Sequence, residues 1–228
     1  MDLSIFKDYW PYFNYGVLVT IFISICVVFL GTILGVILAF AQRTKFPPLV
    51  WLANFYIWIF RGTPMLVQIM VSFTLLSIEA PIIDFGAIKL DMTRIIPGVL
   101  VISMNSGAYI SEIVRAGLNA VPKGQTEASY SLGMRPSATM RYVVMPQAVK
   151  NILPALGNEF ITIIKDSSLL QTIGVMELWN GANTVGTGTY QTLPSYLVAA
   201  AYYLLVTTVL TLLMKKVEKR LNKGEVKA

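Results

Sequence analysis

Tyr9–Gln42 reads YWPYFNYGVLVTIFISICVVFLGTILGVILAFAQ, and no residue in it is charged. A helix needs roughly 20 consecutive apolar residues to cross about 30 Å of hydrocarbon, and this run exceeds that. A second charge-free run, Leu178–Met214, lies near the other end of the chain. Over all 228 residues, 55% are hydrophobic and 13% charged, against about a quarter charged in an ordinary soluble domain. Mean hydropathy is +0.65. A low charge fraction alone would also describe a large buried core, so the length of the runs decides. The chain reads as an all-α integral membrane protein.

The composition excludes several kinds of chemistry. There is no histidine, which removes the usual zinc ligand and the usual base at neutral pH. The single cysteine, Cys26, lies inside the first apolar run and reads as a small hydrophobe, with no disulfide or metal site to support. Metal-dependent or triad catalysis is not expected, and the chain does not read as an enzyme. The amino-terminal stretch does not read as a cleavable signal peptide, because Asp2 and Asp8 oppose Lys7 and the apolar run that follows is too long. The formal charge of +6 concerns topology and not nucleic acid.

Working outward, five spans are expected in one domain covering residues 1–228: Val17–Ala41, Leu49–Leu76, Ile95–Ile113, Ile152–Ile173 and Pro194–Met214. Gln42-Arg43-Thr44-Lys45 closes the first, and Pro47-Pro48 breaks the chain before it turns back. Orientation follows from the basic residues. Arg43 and Lys45, then Arg115, Lys123, Arg135, Arg141 and Lys150, then the tail from Lys215 to Lys227, put most of the 18 Lys and Arg on one side. The other side holds Lys7, Lys89 and Arg94. The expectation is a multi-pass protein of the cell (inner or plasma) membrane, amino terminus outside and carboxyl terminus in the cytoplasm.

Between the third and fourth spans the chain becomes polar and well punctuated, roughly from Pro122 to Lys150. Thr126 is expected to cap a short helix over Glu127–Leu132 that Gly133 ends. Arg135-Pro136-Ser137 restarts a second short helix that runs to Pro146. Tyr130, Met134 and Tyr142 stand amid few charges, which favours a docking surface over an ordinary amphipathic loop. Glu127-Ala128-Ser129, Gly133 and Pro146 resemble the EAA loop of binding-protein-dependent ABC importer permeases. Three further stretches are similar to the polar amino acid permease family: Arg61-Gly62-Thr63-Pro64-Met65-Leu66-Val67-Gln68, Ser106–Gly117, and Gly157-Asn158-Glu159-Phe160-Ile161 with Lys165–Leu169. The family pattern often has a second alanine where Ser129 stands and Leu where Met145 stands, and both replacements keep small or apolar character.

The resemblance implies a cytoplasmic coupling helix, here carried by Glu127, Ala128, Ser129, Gly133, Arg135 and Pro146, seated in a cleft of an ATPase subunit. It implies two such ATP-binding subunits, a second permease subunit identical to this chain or related to it, and an extracytoplasmic solute-binding protein. No Gly-rich loop ending in Lys-Ser/Thr occurs in the chain, so ATP and Mg are expected in the partner ATPase and no cofactor here.

Polar residues inside the spans are the candidates for the translocation path, because burying a charge in hydrocarbon is costly. Glu159 follows Asn158, shares a helical face with Thr162, and has Asp166 one heptad on. It either joins Lys165 and Asp166 in an internal ion-pair cluster or faces a cavity and meets a substrate ammonium. Asn105, Ser106 and Tyr109 line a polar pocket or serve helix packing. Pro64 should loosen the second span near Arg61, letting Gln68 reach the same space, while Arg61 either joins the path or snorkels to the inner face. The expected substrates are polar or cationic amino acids (arginine, lysine, histidine), with glutamine or glutamate as the alternative. A secondary carrier would transport without an ATPase, and a scaffold would tolerate loss of the polar face; these are the rivals.

Overall fold

The computed structural model describes residues 6–84 and 89–221. Asp2 of the amino terminus and Lys223 and Lys227 of the basic tail lie outside the described residues. The charge-free run forms one helix, α1 (Phe6–Ala41), with Pro11 in its second turn. After the Phe46-Pro47-Pro48 corner comes α2 (Pro47–Gly62), whose prolines occupy helix positions where no amide is needed. A break at Thr63-Pro64 leads into α3 (Met65–Leu75).

A short antiparallel hairpin follows, β1 (Ile82–Asp84) and β2 (Lys89–Asp91), with Ile83 opposite Leu90. It delivers the chain to α4 (Met92–Asn119), whose first turn Asp91 caps by accepting from the Thr93 amide at 3.0 Å. Arg94 then donates to Asp91 Oδ2 at 2.8 Å and to the Ile173 carbonyl at 2.9 Å, fastening the start of α4 to a distant turn.

Past α4 lie α5 (Lys123–Ser131), α6 (Pro136–Thr139), a π-helical turn (Met140–Val144) and α7 (Met145–Asp166). A 3₁₀ stretch (Ser167–Ile173) leads to α8 (Leu178–Gly188) and α9 (Thr192–Leu221).

α4 is the central post, packed along α1 on one side and against α7 on the other. Close approach to α1 depends on absent side chains: a Cβ on Gly35 would lie 2.6 Å from Ile110 Cγ2. Two apolar layers result. One joins Val19, Ile23 and Val27 of α1 with Ile69, Ile102 and Ile163. The other joins Ala39 with Ile110, Val114, Ala148 and Ile152. Along α4 the polar pair Asn105–Ser106 falls between Ile102 and Ile110, and along α7 Glu159 falls between Ile152 and Ile163. The polar residues are thus sandwiched between layers that exclude water.

The expected count of five spans is corrected. Among the described residues, two helices, α1 and α9, are long and apolar enough to cross a membrane, and three if the bent pair α2–α3 is one span. The helices at the expected third and fourth spans, α4 and α7, are long but not apolar enough. Arg94, Asn105, Glu112 and Arg115 dilute one, and Lys150, Asn158, Glu159 and Asp166 the other. Both bury their apolar stripes against neighbouring helices, so they do not need to be apolar all round. Outward faces of α1 and α9 carry well-exposed Leu18, Phe29, Leu204 and Leu205, as a surface in hydrocarbon would. All-α character holds apart from the hairpin, and the chain is a multi-pass membrane protein.

The expected second span, Leu49–Leu76, is bent by 108°. Proline accounts for this, since Pro64 lacks the amide that would continue the helix and clashes with the preceding turn. Two smaller expectations also change. Thr126 caps nothing: α5 starts earlier, with Pro122 at its N-cap position. The second short helix does not stop at Pro146. The π turn widens the helix ahead of the proline, and α6 runs on into α7.

Candidate functional site

The break between α2 and α3 leaves backbone carbonyls without helical partners, and side chains satisfy them. Gln68 Nε2 lies 2.9 Å from the Phe60 carbonyl, 3.1 Å from the Thr63 carbonyl and 2.7 Å from Thr63 Oγ1. Asn105 Nδ2 of α4 donates to the same Phe60 carbonyl and to Gln68 Oε1, both at 2.9 Å. Two amide side chains therefore lock an elbow of broken helix onto α4. Tyr56 adds a third tie, its hydroxyl donating to the Met104 carbonyl at 2.8 Å.

Beside this elbow is a cavity of about 390 Å³. The elbow contributes Thr63, Pro64 and Met65; α4 contributes Asn105, Ser106 and Tyr109; α7 contributes Glu159, Thr162, Ile163 and Asp166. Ser106 Oγ donates to Glu159 Oε1 at 3.0 Å, crossing from α4 to α7. Glu159 and Asp166 are two turns apart, about 10 Å along the axis. Among the described residues no ion pair involves Glu159, Asp166 or Lys165, and no basic side chain lines the cavity. The pocket can hold a small polar molecule with an ammonium or other donor facing two carboxylates.

Of the residues singled out from the sequence, Glu159, Thr162, Asn105, Ser106 and Tyr109 line this cavity together. Gln68 stands behind it in the elbow. Arg61 also lies off the lining, its guanidinium 5.2 Å from the Tyr109 ring centroid and 4.0 Å from Glu112. Asn158 is exposed and contributes its carbonyl, which accepts from Thr162 Oγ1 at 3.1 Å. Met65 and Ile163 had no signal beyond apolar character.

Glu177 went unnoticed in the sequence. It is fully buried and caps α8, accepting from the Trp179 amide at 2.9 Å, the Asn180 amide at 2.7 Å and the Tyr203 hydroxyl at 3.0 Å. A carboxylate just before a new apolar helix is a cap signal that could have been read.

The coupling segment differs in every respect. α5 ends at Ser131, with Leu132 as its C-cap, and turns through Gly133, whose φ of 75° favours glycine. Ser129 is buried, its hydroxyl donating to the Gln125 carbonyl at 2.7 Å, while Glu127 and Ala128 are exposed. Arg135 sits at the N-cap of α6, and Pro146 in the first turn of α7. Outward stand Leu132, 84% exposed, and Tyr142, 67% exposed.

Broken helices beside a polar cavity are the setting in which membrane transporters place their substrate sites. The comparisons give the family. Residues 31–223 match the binding-protein-dependent transport system inner membrane component family. The chain is 34% identical to the arginine transport system permease protein ArtQ of Bacillus subtilis, over 99% of each chain. It is 38% identical to a putative glutamine transport system permease protein GlnP of Rickettsia typhi, over 90% of this chain and 91% of that one. It is also 37% identical to the L-cystine transport system permease protein TcyB of Bacillus subtilis, over 95% and 89%.

Its structure superposes on a chain of the crystal structure of an amino acid ABC transporter with histidines, with a TM-score of 0.86 and 35% identity over 96% of this chain and 99% of that one. The fold also matches the inward-facing MetNI methionine ABC transporter, with a TM-score of 0.72 and 17% identity. The chain belongs to this family: it is a permease subunit of an ABC importer for amino acids, a transport component and not an enzyme. Membership brings the partners of such importers, namely a cytoplasmic ATPase that uses ATP and Mg, a second permease subunit and a solute-binding protein. The secondary-carrier and scaffold readings fall with it.

Proposed function

We propose that this permease carries polar or cationic amino acids such as arginine, lysine and histidine through the cavity between the elbow, α4 and α7. The observation that carries the reading is a lining with two carboxylates, Glu159 and Asp166, and no basic side chain. Glu159 meets the substrate's positive group, while Thr162, Asn105, Ser106 and Tyr109 complete the polar wall. Gln68, Arg61 and Asn158 border the path. The chain acts as one permease domain, amino terminus outside and carboxyl terminus in the cytoplasm, as the distribution of Lys and Arg supports. Residues 122–150 then face the cytoplasm, where Glu127, Ala128, Ser129, Gly133, Arg135 and Pro146 shape the part that engages one of two ATP-binding subunits. A second copy of this chain or a related permease completes the path.

Uptake by the whole importer in proteoliposomes tests this, comparing arginine with glutamine. Glu159→Gln is expected to raise the KM for arginine about tenfold or more, as loss of one charge-assisted contact does. Arginine uptake equal to that of the parent would remove Glu159 from the binding of the cationic group. A glutamine or glutamate preference is the second reading, and the glutamine permeases among the relatives are its support.

A further inference from the structure

Arg61, the last charged side chain before the elbow, turns away from the cavity to lie on the outer face of one of its lining residues. Its guanidinium stacks over the Tyr109 ring, 5.2 Å from the centroid, and its Nη1 is 4.0 Å from Glu112 Oε2. The same Glu112 oxygen accepts a short hydrogen bond from Arg115 Nη2. Tyr109, Glu112 and Arg115 follow one another at three-residue intervals on one face of α4. Tyr109 is the cavity-lining residue nearest the end of α4 that leads into the coupling segment. Glu112 therefore stands between an arginine of the elbow and an arginine one turn closer to the coupling segment.

The elbow is attached to α4 at two levels of unequal strength. At Asn105, itself buried, the tie is a network of amide hydrogen bonds of 2.7–3.1 Å. At Glu112, seven residues or about 10 Å further along, it is a 4.0 Å ion pair between partly exposed side chains, with a stacked ring. A tilt of α4 about the Asn105 tie thus displaces Glu112 far more than Asn105. The weak contacts are the ones such a tilt would break.

We propose that Arg61 is a positioning residue that holds the Tyr109 ring as the floor of the cavity. Glu112, shared between Arg61 and Arg115, is the element that releases it. When the inner end of α4 moves with the coupling segment, Glu112 stays with Arg115, Arg61 loses its carboxylate, and the ring swings free on the coupling side. The proposal rests on the reading of this cavity as the substrate path.

The test uses the complete importer in proteoliposomes, measuring ATP hydrolysis with and without substrate-loaded binding protein, together with uptake and KM. Arg61→Gln and Glu112→Gln are each expected to raise hydrolysis in the absence of substrate by roughly two- to fivefold, the shift that loss of a contact of this strength produces. Amino acid carried per ATP falls. A parental ratio of stimulated to unstimulated hydrolysis in Arg61→Gln overturns the proposal. If Arg61→Gln fails to assemble, Glu112→Gln decides, because it leaves Arg61 and its stack in place and removes the shared carboxylate: a ratio equal to the parent's overturns the proposal. Glu159→Gln, run alongside, separates the two readings. A parental KM there removes Glu159 from substrate binding and with it the reading of the cavity as a cation site, while the hydrolysis ratios still decide whether Arg61 restrains the cycle.

Discussion

The elbow at Gly62–Gln68 and the coupling segment at Lys123–Val144 both interrupt regular helix, yet they are built by opposite rules. In the elbow, the Phe60 and Thr63 carbonyls find donors within this chain, and the donors, Gln68 and Asn105, come from two helices. In the coupling segment, Leu132 and Tyr142 stand outward and Tyr130 is half exposed, and the Tyr142 ring is covered on one face by the neighbouring Arg141 guanidinium, 5.7 Å from its centroid. One interruption is completed from inside, and the other leaves Leu132 and Tyr142 largely uncovered. A change in the elbow should therefore cost stability and transport together, whereas one in the coupling segment should cost coupling and leave the fold intact.

The sharpest way to break that contrast is Asn105→Leu, which keeps the branching at Cγ and removes both amide hydrogen bonds. The Phe60 carbonyl keeps only Gln68 as donor, and Gln68 Oε1 loses its partner. The expected cost is about 2–3 kcal/mol, read as a lower thermal midpoint of the purified complex, with uptake lost in parallel. A midpoint equal to the parent's would mean that the elbow is held by something other than this network.

Gly133→Ala comes next. No atom lies within 4 Å of the added methyl, so the effect is backbone strain alone, about 1 kcal/mol from forcing an L-residue to positive φ. It should appear as faster proteolysis around the segment, with the midpoint of the bundle little changed.

A comparable effect is expected where α4 begins, away from both regions. The Thr93 hydroxyl bond holds the Asp91 carboxyl below its usual range, Arg94 adds to this, and partial burial opposes it. A depressed folded pKa contributes stability that is complete above the unfolded carboxylate value and is lost as pH falls through the folded one. Asp91→Ala should cost about 1 kcal/mol at neutral pH, and the gap from the parent should close on acidification, measured as midpoints from about pH 7 to about pH 3. A gap independent of pH would leave the cap without an ionic part.

The smallest change in stability belongs to Tyr142→Ser, within about 0.5 kcal/mol because the side chain is largely solvent-exposed. Its effect should fall on retention of the ATPase during purification. A variant that keeps its ATPase and its coupling would show that this face of the segment is not the docking surface.

Much of this was legible in residue order. The charge-free run from Tyr9 specified α1, Pro64 specified a break, and Gly133 specified the end of α5, because each depends on local chemistry. Legibility failed where a helix is partly polar. α4 and α7 were read as apolar spans from their hydrophobic stretches, yet Asn105, Glu112, Glu159 and Asp166 use one face while the other packs on α1 and on each other. Thr126 looked like a cap, but Pro122 had already begun the helix. The hairpin was not foreseen, since its strands are three residues each.

By itself, the sequence determined that this chain lives in a membrane, that it bends at Pro64, and that it carries a polar segment with the features of a permease family. Those properties follow from run length, missing amides and backbone freedom, which need only neighbours along the chain. Tertiary structure alone decided that Asn105 and Gln68 spend their amides on the elbow, that Glu159 meets Ser106 and shares a cavity with Asp166, and that Arg61 lies on Tyr109. A side chain's hydrogen-bond partner is whichever group another helix brings within about 3 Å, and that distance is set by packing across the bundle.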